Sequence, residues 1–195
     1  MDVSDAAAVA LARAGDGDAF RVLVDRHSRK LFRLAFRLAG NEEDAEDIVQ
    51  ETFLRAYRNL DKFDERALFT SWLFRIASNY ALDLLRMRKM RTAQSLSSED
   101  TEGHPMTERI ASEEPGPERV AFSGQMRDRI ASAMDDLTPQ ERAAFTLRHF
   151  EGHTIEEISE SLKIGANATK HAVFRAVQKM RKALQPVEGE KAWRT

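Results

Sequence analysis

Apolar residues recur every three or four positions along almost the whole chain, which is the spacing of a buried helix face. One stripe contains Phe20, Leu23, Val24, His27, Leu31, Leu34 and Leu38, and the next contains Ala45, Ile48, Val49, Thr52, Phe53, Ala56, Tyr57 and Leu60. No alternating run is long enough to predict a strand. Because His27 lies on the first stripe, we predict a packed histidine there rather than a metal ligand. The pattern predicts an all-α fold.

Helix starts are marked by a capping side chain placed three residues before a carboxylate. Asn41 precedes Asp44 in this way, and Thr138 and Thr154 precede Glu141 and Glu157. The last two pairs match the capping box, in which both side chains bond to backbone N–H groups. The residue after Thr138 is a proline, which favours the first position of a helix.

The distribution of apolar residues divides the chain into two small helical domains, residues 3–92 and 119–185. The segment between them, 93–118, has seven carboxylates, three prolines and few apolar residues. That composition predicts a flexible acidic linker. The tail, residues 186–195, is predicted to be frayed, and the alternative is a docking peptide around Trp193.

Composition excludes several classes of protein. The 195 residues include no cysteine, which rules out disulfides, thiolate metal sites and thiol catalysis. No apolar run approaches the roughly 20 residues of a membrane span, and no secretion signal is evident, so we expect no membrane insertion and a cytoplasmic protein. His149 and His153 are four apart, but Gly152 between them argues against a metal site. We predict no catalytic residue, no metal and no cofactor, and hence no enzyme.

The C-terminal domain contains a predicted helix-turn-helix: a helix over 154–162, a turn over 163–166 and a helix over about 167–184. The second helix has one buried face and one outward face that is rich in bases. The residues predicted to face outward near its start and middle are Asn167, Lys170, His171, Phe174, Arg175 and Gln178. Such a face suits the major groove of DNA. The alternative is an amphipathic helix with a solvated basic face.

Two further surfaces lie in the N-terminal domain. Asp47, Gln50, Glu51 and Leu54 share one side of a helix, so a leucine lies among carboxylates. This predicts an interface for a basic partner, and the alternative is a solvated surface with a stray leucine. Residues 61–91 combine aromatic and basic side chains, as single-stranded nucleic acid requires. In that segment Phe63 is the predicted base contact, Tyr80 is predicted to be structural, and Trp72 stays ambiguous.

Three stretches are similar to the second domain of bacterial extracytoplasmic-function (ECF) sigma factors. They are Asp44–Tyr57 (DAEDIVQETFLRAY), Phe69–Asn79 (FTSWLFRIASN) and Ala81–Arg86 (ALDLLR). The stretch from Leu137–Arg142 (LTPQER) to Arg181 resembles the fourth domain of the same family. The resemblance covers nearly the whole chain except the linker and the tail.

The resemblance implies a subunit that binds core RNA polymerase, recognises promoter DNA and promotes transcription initiation. It implies docking of Asp44, Asp47, Gln50, Glu51 and Leu54 on the clamp helices of the largest subunit, and a contact with the flap of core polymerase. It implies contacts to the −10 element by Lys62, Phe63, Arg75, Asn79, Arg86, Arg88 and Lys89. It implies reading of the −35 element by Asn167, Lys170, His171, Phe174, Arg175 and Gln178. An anti-sigma factor is a further implied partner.

The chain departs from the family pattern at five positions. The family usually has a glycine where this chain has Glu65, and glycine then isoleucine-proline where it has Lys163, Ile164 and Gly165. Ala168 and Ala172 stand where a threonine and an arginine are frequent, which predicts an altered or weaker −35 preference. Two alternatives stay open: a helix-turn-helix regulator that acts without polymerase, and a sigma-like adaptor or mimic that binds a regulator.

Overall fold

The computed structural model describes residues 3–95, 126 and 128–185. An N-terminal group contains α1 (Asp5–Arg13), α2 (Gly17–Ala39), α3 (Glu42–Arg58), a short 3-10 helix (Leu60–Lys62) and α4 (Phe69–Ser95). A C-terminal group contains α5 (128–135), α6 (Pro139–His149), α7 (Ile155–Leu162) and α8 (Ala166–Leu184). These described residues contain no strand, so the predicted all-α fold is confirmed.

The predicted helix starts are those of the structure. Asn41 accepts a hydrogen bond from the backbone N–H of Asp44 at the start of α3. Thr138 and Thr154 form complete capping boxes at the starts of α6 and α7. Each cap satisfies N–H groups that have no partner within the helix. Local sequence signals therefore set the position of each of these three helices.

The turn between α2 and α3 depends on a glycine. Gly40 ends α2 with φ of 84°, in the left-handed region that only glycine adopts without strain. A Cβ at this position would lie 2.9 Å from a guanidinium nitrogen of Arg142 in the C-terminal group. The backbone conformation therefore favours glycine here, and a Cβ would also displace the end of the Arg142 side chain.

The core of the N-terminal group is built from the predicted stripes. Leu31, Leu34 and Ile48 of these stripes are fully buried, as is Leu73 of α4, and burial of each such side chain contributes about 1.5–3 kcal/mol to stability. His27 is buried as predicted, with Nε2 2.9 Å from Asp5 on α1. Burial lowers the pKa of His27 below its ordinary value, although the Asp5 carboxylate opposes the shift.

The two helix groups pack against each other. Leu147 and Ile158 of the C-terminal group belong to the same apolar cluster as the N-terminal core. A guanidinium nitrogen of Arg142 donates to the carbonyl of Leu38 at 3.4 Å, which satisfies an acceptor near the end of α2. In this arrangement the two groups form one closed body.

The predicted linker and tail lie outside the described residues, except that α4 continues to Ser95, past the boundary expected at residue 92. None of the described helices combines the length and apolar character needed to cross a bilayer.

Candidate functional site

The acidic face of α3, defined by Asp47, Gln50, Glu51 and Leu54, lies on the surface as predicted. Leu54 is 43% exposed among these polar side chains. Glu51 accepts a hydrogen bond from Arg55 at 2.7 Å, and Asp47 and Gln50 are exposed. Tyr57, one helical turn after Leu54, is 53% exposed although its position on the apolar stripe predicted burial. The face therefore offers two apolar side chains beside its carboxylates.

Asp44 does not belong to this face, and the prediction that it docks a partner is wrong. The residue is 0% exposed. Its carboxylate accepts a hydrogen bond from the side-chain amide of Asn41 at 2.8 Å and pairs with Arg88 of α4. The role of Asp44 is to hold the start of α3 against α4, because its side chain points into the protein.

Phe63, the predicted base contact, is also in the interior. It is 6% exposed, and its ring centroid lies 5.4 Å from that of Phe69 and 5.2 Å from that of Trp72. Trp72 is buried as well, so the aromatic cluster is structural. These three rings therefore have no free face on which a base could stack. An exposed apolar side chain of the loop before α4 is Leu68.

The remaining side chains expected at the −10 element lie on the loop and along α4, and most have partners. Lys62 donates to Asn59 at 2.9 Å, and the amide of Asn79 donates to the carbonyl of Arg75 at 2.8 Å. Arg86 lies 3.8 Å from Asp83 in an exposed pair. Lys89 is part of α4, but its side chain lies outside the described part of the structure.

Arg75 pairs with the C-terminal group. Its Nη1 donates to Oε1 of Glu160 on α7 at 2.8 Å, and both side chains are substantially exposed. An ion pair of this kind contributes little to stability because water screens it. The pair can therefore be exchanged for another anion at small cost.

The helix-turn-helix lies within one residue of the predicted bounds, because α7 begins at Ile155 and α8 at Ala166, with a tight turn between them. The six side chains expected at the −35 element are all exposed, and Phe174 is 61% exposed. Arg175 is restrained, because its Nε donates to Glu141 on α6 at 2.9 Å. Lys179 donates to the same carboxylate at 2.7 Å. The free outward face is therefore formed by the other five residues: Asn167, Lys170, His171, Phe174 and Gln178.

Glu141 is the anchor of this arrangement. Its burial would raise the pKa of the carboxyl group. Hydrogen bonds from Lys179, the backbone of Thr138 and Arg175 outweigh that effect and hold the pKa of Glu141 at about 2. The residue combines a capping box with a tether between α6 and α8.

The expectation that Ala168 and Ala172 mark two missing DNA contacts is wrong for Ala172. It is 0% exposed and packs in the core, on the same face of α8 as Thr169 and Ala176. A longer side chain at position 172 would enter the core rather than the groove, whereas Ala168 is exposed. The alanine at position 172, where the family often has arginine, therefore does not indicate a lost contact to DNA.

Lys163 ends α7 with φ of 53°, and it is the non-glycine residue with positive φ in the described chain. A side chain in this region clashes with its own backbone, at a cost of roughly 1–2 kcal/mol. We expect Lys163→Gly to raise the free energy of unfolding by about 0.5–1 kcal/mol, because glycine removes the clash but loses more entropy on folding. Urea denaturation of the variant and the wild type measures this difference in the free energy of unfolding. The control Lys163→Ala keeps a Cβ, and an equal gain in that variant would contradict the explanation.

Comparison with known families places the chain. The model of Sigma-70 region 2 matches residues 23–91, and that of Sigma-70, region 4 matches residues 127–180. The chain is 34% identical over 173 residues to the ECF RNA polymerase sigma factor SigW of Bacillus subtilis (strain 168), which covers 89% of this chain and 92% of SigW. This chain belongs to the ECF sigma factors.

Further relatives agree with this assignment. The RNA polymerase sigma factor NccH of Alcaligenes xylosoxydans xylosoxydans is 36% identical over 181 residues, covering 93% of this chain and 95% of NccH. The structure of CnrH in complex with the cytosolic domain of CnrY matches with a TM-score of 0.58 at 26% identity, covering 92% and 96% of the two chains. The sigma factor RpoE from Bartonella quintana, solved with the anti-sigma factor NepR, shares the fold with a TM-score of 0.65 at 20% identity, covering 86% and 97%.

As an ECF sigma factor, the protein binds core RNA polymerase, recognises promoter DNA and promotes transcription initiation. Sigma factors are initiation factors rather than enzymes. The surfaces described above are the candidates for those contacts.

Arg13 is a residue of this sigma factor that the sequence analysis missed. From the end of α1 it donates to the carbonyls of Leu60 and Phe63 and to the carboxylate of Glu65, at 2.5–3.1 Å. Glu65, where the family usually has glycine, is thus one of three anchors for the loop before α4. Within the loop, hydrogen bonds from Arg66 hold the pKa of Asp64 at about 2. The signal in the sequence is weak, because nothing local links α1 to a loop some 50 residues away.

Proposed function

We propose that the sigma factor divides its work between the two helix groups, which act as domains. The acidic face of α3 docks on the clamp helices of core polymerase, the loop before α4 and α4 itself hold the opened −10 strand, and α8 reads the −35 element. The observation that carries this division is the exposure of Leu54 among the acidic side chains of α3. An apolar side chain surrounded by charged ones matches the anatomy of a protein interface, in which a centre depleted of charge is surrounded by a polar rim.

The proposed −10 surface consists of the residues that the sequence predicts to contact the −10 element, except for the buried Phe63. Its members are Lys62, Arg75, Asn79, Arg86, Arg88 and Lys89. Arg88 also pairs with Asp44, so it contributes a charge whose position is fixed. Reading an unstacked base couples recognition to melting. Extruding the base costs a few kcal/mol, and contacts between the base and the protein must offset that cost.

The domains must separate for this function. The two promoter elements are centred about 25 base pairs apart, which is roughly 85 Å of duplex at about 3.4 Å per base pair. A compact chain of this length has a radius of gyration of only about 16 Å. A closed body of that size cannot reach both elements, so we propose that promoter binding requires an open form.

We further propose a cytoplasmic protein with no catalytic activity of its own, and an anti-sigma factor as an additional partner. The support for the partner is that the CnrH structure, at 26% identity, was solved as a complex with the cytosolic domain of CnrY.

Run-off transcription from a promoter library, with purified protein and bacterial core polymerase, tests the proposal. We expect products that appear only with the protein and share two upstream motifs. In Lys170→Ala/Phe174→Ala, the −35 motif should disappear while the −10 motif remains, because a lysine and an apolar ring can read base edges.

The matched control for that variant is Arg181→Ala/Lys182→Ala, at the far end of α8. Loss of phosphate contacts there should weaken all promoters uniformly without changing the motif. Binding to core polymerase without any product would favour the mimic, and binding to duplex DNA alone would favour the polymerase-independent regulator.

A further inference from the structure

A cleft of about 440 Å³ lies between the two helix groups. Three cations of α2, Lys30, Arg33 and Arg37, line the cleft together with Thr70 and Ser71 from the first turn of α4. The hydroxyl group of Thr70 lies 3.3 Å from Nδ1 of His27. This volume is within the range of small-ligand sites in proteins, about 300–1,000 Å³. Three cations line the cleft against one carboxylate, that of Glu151, so the cleft suits an anion.

The three cations form one row. Their spacing of three and four residues places them on the same face of α2, and the row extends over roughly 10 Å of helix at about 1.5 Å per residue. Within the described part of the chain, neither Lys30 nor Arg33 has a carboxylate partner. Unpaired cations in a row are what a chain of phosphates requires.

Arg37 does have a partner, but it comes from the other group. Its Nη1 donates to Oε1 of Glu151 at 3.0 Å, and its guanidinium lies 4.4 Å from the centroid of the Phe150 ring. The ion pair between Arg75 and Glu160 has the same polarity, with the arginine in the N-terminal group. In both pairs, therefore, a carboxylate of the C-terminal group is the partner of an arginine that loses this partner when the groups separate.

We propose that Lys30, Arg33 and Arg37 bind successive phosphates of the opened promoter strand, and that Glu151 occupies the place of one phosphate in the closed form. The row extends over about three phosphates of a stacked strand at about 3.4 Å each. Ser71 and Arg75 lie four residues apart on one face of α4, which makes the row continuous with the proposed −10 surface. The inference rests on the proposed function, and it adds α2 to the strand-binding surface.

A strand fits this site better than a free phosphorylated molecule. Domain separation removes the wall that carries Phe150, Glu151 and His153, so the cleft becomes an open track. A continuous strand can bridge all three cations in an open track. A small molecule would lose most of the surface that encloses it.

The test measures binding of the full chain to a fluorescein-labelled oligo-dT of about 20 nucleotides by anisotropy, between about 25 and 150 mM sodium chloride. We expect Lys30→Ala/Arg33→Ala to reduce the slope of log K against log salt by about 1.4, since each phosphate contact to a single strand contributes about 0.7. The control Arg21→Ala/Arg58→Ala removes two exposed cations that do not line the cleft and should leave the slope unchanged. Glu151→Gln should strengthen binding about threefold, because it frees Arg37.

Equal slopes for the two double variants would overturn the proposal, and so would failure of both the wild-type chain and Glu151→Gln to bind oligo-dT. ATP serves as the probe for a free phosphorylated molecule. Tighter binding of ATP than of oligo-dT, lost in Lys30→Ala/Arg33→Ala, would reassign the cleft to such a molecule. Run-off transcription by the wild-type chain distinguishes failure of the α2 site from failure of the proposed function. Transcription together with unchanged salt slopes in the variants would refute only the α2 site. Absence of transcription would refute the proposed function.

Discussion

Replacing Leu54 with arginine is expected to weaken the binding of core RNA polymerase roughly 100-fold, which corresponds to about 2.7 kcal/mol. The reason is that Leu54 is the apolar centre of an otherwise acidic face, beside Asp47 and Glu51. Arginine would place a charge in the apolar notch of a basic partner, where it is both desolvated and repelled. Co-purification and fluorescence titration of labelled protein with core polymerase measure the effect.

The matched control for this variant is Leu11→Arg on α1. Leu11 is 47% exposed, against 43% for Leu54, so both substitutions should leave the free energy of unfolding nearly unchanged. Leu11 lies outside the acidic face of α3. Equal loss of polymerase binding in both variants would show that the acidic face is not the docking surface, and loss of folding in either one would appear in its circular dichroism.

The sequence predicted the helices well because their signals are local. A capping box such as Thr138 with Glu141 is complete within four residues, and an apolar stripe repeats within one helix. The outward face of α8 followed from the same periodicity. These predictions needed no knowledge of how one helix packs on another.

The errors arose at residues whose burial is decided by tertiary packing. Asp44 looked like its acidic neighbours, and only the approach of Arg88 from α4 explains its burial. Phe63 stood in a polar loop, and only the positions of Phe69 and Trp72 explain why its ring turns inward. Ala172 carried no signal, because alanine is compatible with either face of a helix.

The closed arrangement could not be predicted from the sequence at all. The pairs Arg37–Glu151 and Arg75–Glu160 join residues that are 114 and 85 positions apart. Surface charges of this kind have no periodic signature. Their common polarity emerges only when the two groups are seen together, and it gives the basic surface of the N-terminal group an anionic cover.

The second large effect is expected at Glu141, and it depends on pH. Glu141→Gln should lower the free energy of unfolding by about 3 kcal/mol at pH 7, since the pKa of this carboxyl group is about 2 in the folded protein and 4.5 ordinarily. A depressed pKa stabilises the fold above the unfolded value of 4.5. That contribution is lost as the pH falls towards 2. The difference between wild type and variant, from urea denaturation at several pH values, should therefore vanish near pH 2.

Glu157→Gln is the matched control, because Glu157 holds the same position in the capping box of α7. The backbone hydrogen bond from Thr154 lowers the pKa of Glu157, but no lysine or arginine among the described residues donates to this exposed side chain. Glu157→Gln should therefore cost clearly less than Glu141→Gln. If the two variants lose equal stability, the effect belongs to the capping box alone and the tether to Lys179 and Arg175 contributes nothing. A larger loss at Glu141 that persists at pH 2 would instead assign the effect to the shape of the side chain rather than to its charge.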